Sequence, residues 1–377
     1  MIKLDKIKNL HLVGDLHFGI RSNSSEWLNI QLDFWRNYFI PTIIKTSDYN
    51  KDEDTLFLMG DIFHSREFLN IKVLYEAQKL FKELSGYFNK VIIILGNHDL
   101  FNKSTTEINS VKQFELLSTN IHVIESYDIL EINNNKFFMM PYEHDYEKFE
   151  NIINEYSKDC EYLLCHADIQ NMKFDKSRII DQGLNLKNIR KFKKIFSGHI
   201  HYRQEKDWVV YTGIPYAMER SDCNNQKGWY TLKFTGNNFK EEFIENKYSP
   251  VFIKTNLHDL IELSLEESES LLKNNLVDIY VDNKYSGKFI ISQFLELIKD
   301  FKIRKIDFFP YDSEKNIEIN DALKNVDIKN LNTFDAVNLF LDSIKVDTDT
   351  KTIVSNYFEK LYKEASEMNK NLIMSEE

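Results

Sequence analysis

Five short apolar runs, Leu10 to Asp15, Thr55 to Asp61, Val91 to Gly96, Tyr162 to His166 and Ile195 to His199, each end in a polar tip. Such runs read as buried strands. Between them, Trp27 to Lys45 and Ile71 to Leu84 carry apolar residues at three- and four-residue spacing, the pattern of helices packed on a sheet. Strands and helices taking turns predict a layered α/β domain. Asn133-Asn134-Asn135 and Thr235-Gly236-Asn237-Asn238 separate alternating runs and predict hairpins that add antiparallel strands to it.

Beyond Tyr248-Ser249-Pro250 the polar tips stop, which places a domain boundary near residue 250. A helix from Leu265 to Leu272, a strand from Val277 to Val281, a helix from Lys288 to Phe301 and a strand from Lys305 to Phe309 predict a small βαβ-like module. Asp335 to Ile344 and Lys351 to Ala365 predict two final helices before an acidic tail. The expected organisation is therefore a catalytic domain over 1–250, a small α/β domain over 251–330 and a helical segment over 331–370.

Composition narrows the function. A net charge of −11 repels a polyanion, so nucleic-acid binding would have to draw on metal ions, local basic patches or a partner. The three cysteines, Cys160, Cys165 and Cys223, lack the paired spacing of a zinc ribbon and argue against a disulfide framework, which suits a reducing, intracellular setting. No signal-peptide core follows Met1, and the longest apolar run, Val91 to Leu95, is far too short to cross a bilayer. A soluble, cytoplasmic protein with no membrane partner is expected.

The tips carry the chemistry. Asp15 and His17 in Gly14-Asp15-Leu16-His17 stand two residues apart, so in extended backbone both side chains emerge on one side, as two ligands of one metal would. Gly60-Asp61-Ile62-Phe63-His64 exposes Asp61 at a strand's carboxyl end, where open α/β sheets bind ligands and where one carboxylate can bridge two ions. In Gly96-Asn97-His98-Asp99, Asn97 is a neutral oxygen ligand and His98 is free to face substrate, with Asp99 near enough to hold its imidazole in the charged form. His166 ends the fourth strand, and His199 and His201 in Gly198-His199-Ile200-His201 repeat the two-residue spacing. Oxygen and nitrogen ligands without thiolate suit hard or borderline divalent ions such as manganese, iron or zinc, of which manganese is the preferred expectation. Any one block also fits a helix cap or loop anchor, but five strand ends each offering a ligand favour a two-metal phosphoester hydrolase.

These blocks resemble those of the calcineurin-like metallophosphoesterase superfamily, and within it the SbcD-type nuclease subunits, the tailed-phage recombination endonuclease subunit being especially similar. Protein phosphatases of the superfamily usually end the third block in Glu, where this chain has Asp99, and lack His64. The motif likeness covers residue 10 to about 216, including Tyr211-Thr212-Gly213-Ile214-Pro215. It implies a sandwich of two central sheets flanked by helices, with a small α/β capping domain and C-terminal helices. It further implies that Asp15, His17, Asp61 and His201 hold one manganese ion while Asp61, Asn97, His166 and His199 hold the other. His98 would protonate the leaving oxygen or steady the transition state, with His64 positioning substrate.

By the same resemblance the chain would be the catalytic subunit of a DNA exo- and endonuclease, working in repair, recombination or phage genome processing in a bacterial or phage-infected cytoplasm. Its partner would be an SMC-like, ABC-type ATPase with a coiled coil, bound by the helices between Asp335 and Ala365. A homodimer is implied, with the segment from Leu100 to Leu117 as its interface. The basic run Lys187, Arg190, Lys191, Lys193 and Lys194 fits either a phosphate contact or, more simply, the solvated face of a helix. A small-molecule or phosphoprotein phosphoesterase is the alternative enzyme. A noncatalytic scaffold is the third reading, opposed by the presence of both Asn97 and His98.

Overall fold

The computed structural model describes residues 1–311 apart from 104, 158, 223, 224 and 283–287, together with Phe358. The two helices expected between Asp335 and Ala365 lie, except for Phe358, outside the described residues. Two compact units divide the chain, one of residues 1–279 with 294–308 and one of 280–293 with 309–377.

In the first unit, Asn9–Val13, Asp54–Leu58, Lys90–Ile94 and Ile121–Ile124 run parallel as neighbours in one sheet. The hairpin Gly228–Thr235 and Asn238–Glu245 extends it antiparallel beyond Asn9–Val13. A second sheet of seven strands has Asn135–Met140, Tyr162–His166, Lys194–Gly198 and Val209–Tyr211 parallel at its centre.

Alternation along each strand assigns the layers. Leu10, Leu12, Phe57, Ile92 and Ile94 of the first sheet share one core with Phe137, Met139, Leu164 and Phe196 of the second. Leu56, Leu58, Val91 and Ile93 face the other way, onto Trp27, Phe34, Leu80 and Leu84. On the far side, Leu163, Ile195 and Val209 pack on Phe149, Ile153 and Phe192. The result is helix, sheet, sheet, helix, and each fully buried Leu, Ile or Phe in it contributes about 1.5–3 kcal/mol. Covered faces on both sides explain why these strands read as unbroken apolar runs.

The helix Ile71–Leu84 has the bounds its periodicity predicts, started by Asn70, whose Oδ1 accepts from the amides of Lys72 and Val73. The expected helix over 27–45 is present as one continuous helical run, Ser25–Asp33, a π-turn Phe34–Phe39 and Ile40–Ile44, with the junction residues all right-handed helical. Pro41 lies in this run, and its missing N–H and bulky ring disrupt a regular α-ladder there. Asn133 and Asn134 alone form the first hairpin turn, both at positive φ (48° and 68°), and Asn135 already belongs to the next strand.

Past residue 250, Phe252–Asn256, Leu276–Asp282 and Lys305–Tyr311 form a three-stranded sheet in that order, and the first of these strands was not expected. Helix Leu265–Leu272 carries a capping box between Ser264 and Glu267. Arg220 grips the buried Asp278 through two bonds of 2.5 and 2.7 Å, and Arg304 reaches Asp33 at 2.7 Å. In the second unit the rings of Tyr280 and Phe309 stack at 5.5 Å. No helix among the described residues is long and apolar enough to cross a membrane.

Candidate metal centre

All five polar tips emerge at the carboxyl ends of parallel strands, three from the first sheet and two from the second. The turns that bring them together are tight. His17, Asp61 and His199 take positive φ of 48°, 51° and 84°, a left-handed region that non-glycine residues seldom enter and that clusters at functional sites. Gly96 is required for proximity, since a Cβ there would lie 2.2 Å from Asp61 Oδ1. At Gly60, φ is 97° and a Cβ would lie 2.6 Å from His166 Nδ1.

One focus gathers Asn97, His166, His199 and Asp61. Asn97 Oδ1 lies 2.8 Å from His199 Nδ1 and 3.1 Å from His166 Nε2, the two ring nitrogens are 3.3 Å apart, and Asp61 Oδ2 is 3.4 Å from His166 Nε2. Protons are accounted for elsewhere. His166 Nδ1 donates to the Met59 carbonyl at 2.7 Å, and His199 Nε2 faces the Asp168 carboxylate at 3.1 Å. Both partners only accept, so in the neutral rings the lone pairs of His166 Nε2 and His199 Nδ1 are turned on the lone pairs of Asn97 and Asp61. With His166 neutral, four acceptors converge on one point, so a divalent ion can take the place that a proton on His166 Nε2 holds in the metal-free chain, and the donor set fits such an ion.

A second focus adjoins it. His17 Nε2 lies 3.1 Å from His201 Nε2 and 3.6 Å from Asp61 Oδ2, so Asp61 serves both. Asp15, fully buried, accepts the His199 amide with both oxygens at 3.1 Å and comes within 3.5 Å of His166 Nδ1. His17 also has nitrogen within 4.8 Å of nitrogens of His64 and His98, whose rings stack at 5.3 Å and 15°. Thus all nine expected residues, Asp15, His17, Asp61, His64, Asn97, His98, His166, His199 and His201, are brought into one cluster.

Burial opposes charge on Asp61, but His166 and His17 beside it hold its carboxyl well below the usual range. Burial likewise opposes a charged His166, yet Asp61 and Asp15 push it up to about 9. Burial drives His17 well below the ordinary imidazole value, helped by His201, His98 and His64. Asp15 is raised, chiefly by burial. Two buried carboxylates among imidazoles make a site whose charge balance favours cations.

One expectation fails. Asp99 does not hold the His98 ring, because its carboxylate accepts the backbone amides of Gly96 (2.9 Å), Ile62 (2.8 Å) and Phe63 (3.3 Å). It ties the second tip to the third, and burial raises its pKa to about 7. His98 is fixed otherwise, with Nδ1 donating to the His64 carbonyl at 2.6 Å and its amide to Asp61 Oδ1 at 2.7 Å. The proton at Nδ1 leaves Nε2 for substrate. The basic run before His199 is not helical: Lys187, Arg190 and Lys191 lie in turns and Lys194 opens the strand Lys194–Gly198, with Lys193 paired to Glu161 and Lys194 to Glu241.

Sequence reasoning missed the supports. Asp168 holds His199 and is itself held by the Tyr146 hydroxyl at 2.9 Å; the two-residue step from His166 was the signal available. Gln31, fully buried, donates from Nε2 to the carbonyls of Leu16 (2.8 Å) and His17 (3.0 Å), and the Tyr216 hydroxyl donates to Leu16 at 2.7 Å. Nothing in their sequence surroundings marks them. Over the cluster opens a cavity of about 310 Å³, walled by His17, Asp61, His98 and His201 and rimmed by Phe174 and Arg178.

Comparison with known proteins agrees with this geometry. Residues 9–203 match the calcineurin-like phosphoesterase family. The chain is 25% identical over 244 residues to exonuclease subunit 1 of Enterobacteria phage T4, a match covering 64% of this chain and 68% of that protein. It is also 25% identical over 236 residues to the DNA double-strand break repair protein Mre11 of Methanocaldococcus jannaschii, covering 58% of this chain and 60% of that protein.

Proposed function

The chain belongs to the calcineurin-like phosphoesterases, and from that premise we propose that it is a two-metal DNA nuclease, the catalytic subunit of a complex with an SMC-like coiled-coil ATPase. The observation that carries the reading is Asp61, one carboxylate shared by two groups of ligand atoms below an open cavity. The oxygen and nitrogen donors suit manganese, iron or zinc, and manganese is the ion proposed. Two such ions supply water activation and neutralise charge on the phosphoryl oxygens. In the proposed assignment Asp15, His17, Asp61 and His201 hold one ion, and Asp61, Asn97, His166 and His199 hold the other.

The residues around them divide the remaining work. His98, fastened at Nδ1, presents Nε2 to the cavity and, when protonated there as well, delivers that Nε2 proton to the leaving oxygen, ending as the neutral ring that keeps its Nδ1 proton. His64 stacks on it and fixes the face it turns to substrate. Preference for nucleic acid over phosphoprotein rests on His64 and Asp99 and on the names of both relatives, an exonuclease subunit and a break-repair protein.

The finer reading assigns 1–250 to the nuclease domain, 251–330 to a cap and 331–370 to the ATPase-docking helices, in a cytoplasmic protein acting in repair, recombination or phage genome processing. A homodimer is part of it. In the segment from Leu100 to Leu117, Phe101, Ile108 and Leu116 are exposed, apolar side chains that a second copy would cover.

Incubating the full chain with manganese, labelled linear or single-stranded DNA and bis(p-nitrophenyl) phosphate tests the assignment. Metal-dependent cutting of DNA is expected. Hydrolysis of the dye with DNA left intact, even beside an ATPase partner, would return the protein to the small-molecule or phosphoprotein branch.

A further inference from the structure

Between the strand that carries His166 and the strand that carries His199, the chain makes an excursion whose tip stands on the rim of the cavity. Its base is anchored by Met172 and Ile180, both buried, and by paired backbone bonds, Ile180 amide to Met172 carbonyl at 2.8 Å and Phe174 amide to Arg178 carbonyl at 2.9 Å. Gln204 clamps Lys173, accepting its amide at 2.8 Å and donating to its carbonyl at 2.6 Å. Asp175 closes the tip, accepting the amides of Ser177 and Arg178 and the Arg178 guanidinium. This is a stiff turn.

On it stands Phe174, 46% exposed, with the Arg178 guanidinium 4.4 Å from its ring centroid. Nearly half of this large aromatic is left in water on a braced turn at the cavity rim, where it is open to a further stacking partner. Lys173, Lys176 and Arg178 are exposed around it, and the only carboxylate between 173 and 178 is the one that Arg178 already engages. The tip is therefore locally basic on a chain of net charge −11. An aromatic face among cations is the combination that grips single-stranded nucleic acid, the ring stacking on a base and the cations following the phosphates.

We propose that Phe174, backed by Arg178, is a stacking platform for an unpaired nucleobase of the strand whose phosphate enters the cavity. The inference rests on the nuclease reading and deepens it by making an unpaired base part of what the site recognises. The platform sets affinity and register, and the residues of the metal centre keep the chemistry.

The test uses the full chain with manganese, a single-stranded oligonucleotide and bis(p-nitrophenyl) phosphate. Stacking is worth about 1–3 kcal/mol per base, so Phe174→Ala should raise KM for the oligonucleotide about 5- to 150-fold more than for the small ester, and Phe174→Trp should restore it. A single abasic nucleotide, moved along the strand, should weaken wild-type binding at one position by a similar factor and leave the alanine variant no weaker there. Equal losses on both substrates, or no sensitive position in the abasic scan, would overturn the platform while the nuclease reading stands. Wild-type protein that hydrolyses the ester but neither binds nor cuts the oligonucleotide would sink that reading, and the platform with it.

Discussion

The two foci of the metal centre are held by different means. At the focus of Asn97, His166 and His199, each ring is fastened through its outer nitrogen, to the Met59 carbonyl and to Asp168. At the focus of His17 and His201, His17 Nδ1 is buried without a hydrogen-bond partner, and the carboxylate nearest His201 Nδ1, that of Asp222, is 3.9 Å away. There the main chain is fastened instead, by Gln31 and Tyr216 at Leu16 and His17. Ring fastening fixes tautomer and direction and is worth about 10- to 100-fold in metal affinity. The comparison therefore teaches that one ion should bind tightly and persist, while the other should exchange more readily.

The largest expected effect comes from a side chain belonging to neither group. His98→Ala should lower DNA cleavage by about 10²- to 10⁴-fold, the usual contribution of a general acid, while calorimetry still counts two ions. Losing an ion in that variant would mean that His98 is part of the centre and that the division into two foci is drawn wrongly.

A smaller change separates the foci from each other. Asp168→Ala should weaken one of the two ions about 10- to 100-fold, because His199 loses the carboxylate that orients it, and leave the other where it was. Asp222→Asn, at the opposite focus, should shift neither ion by as much. Melting of both metal-free variants checks that the fold is intact. Equal effects from the two substitutions would erase the distinction between tight and exchangeable sites.

The fastened focus also shows where reading the sequence stops. Strand ends and ligands were legible because Asp15, Asp61, Asn97, His166 and His199 close apolar runs, and local chain direction follows from local pattern. Phe252–Asn256, none of whose residues is buried, gave no such run and was missed. Asp99 was misassigned because adjacency in sequence suggested its neighbour His98, whereas the turn aims the carboxylate back at three amides. Asp168 and Gln31 act across gaps of 31 and 14 residues, and only the assembled fold brings them to His199 and His17. Phe174 carries no periodicity and becomes conspicuous only by its exposure.

Proton competition gives the smallest effect and the sharpest contrast. His166 is raised from 6.5 to about 9 in the metal-free chain, against burial, by Asp61 and Asp15. A raised imidazole binds more protons folded than unfolded, so its contribution to stability is complete below about pH 6.5 and is lost as pH climbs through about 9. The metal-free protein should melt at lower temperature as pH rises across that window. Loading with metal needs His166 neutral, so the proton must leave, and affinity at its focus should rise about tenfold per pH unit from 7 to 9. His17 is pushed the other way by burial and by its neighbouring imidazoles, so it holds no proton to displace. Its focus should gain nothing from His17 over the same interval. Manganese titrations at pH 7, 8 and 9 read both slopes at once, and parallel slopes would show that the two foci do not differ in the way their fastening implies.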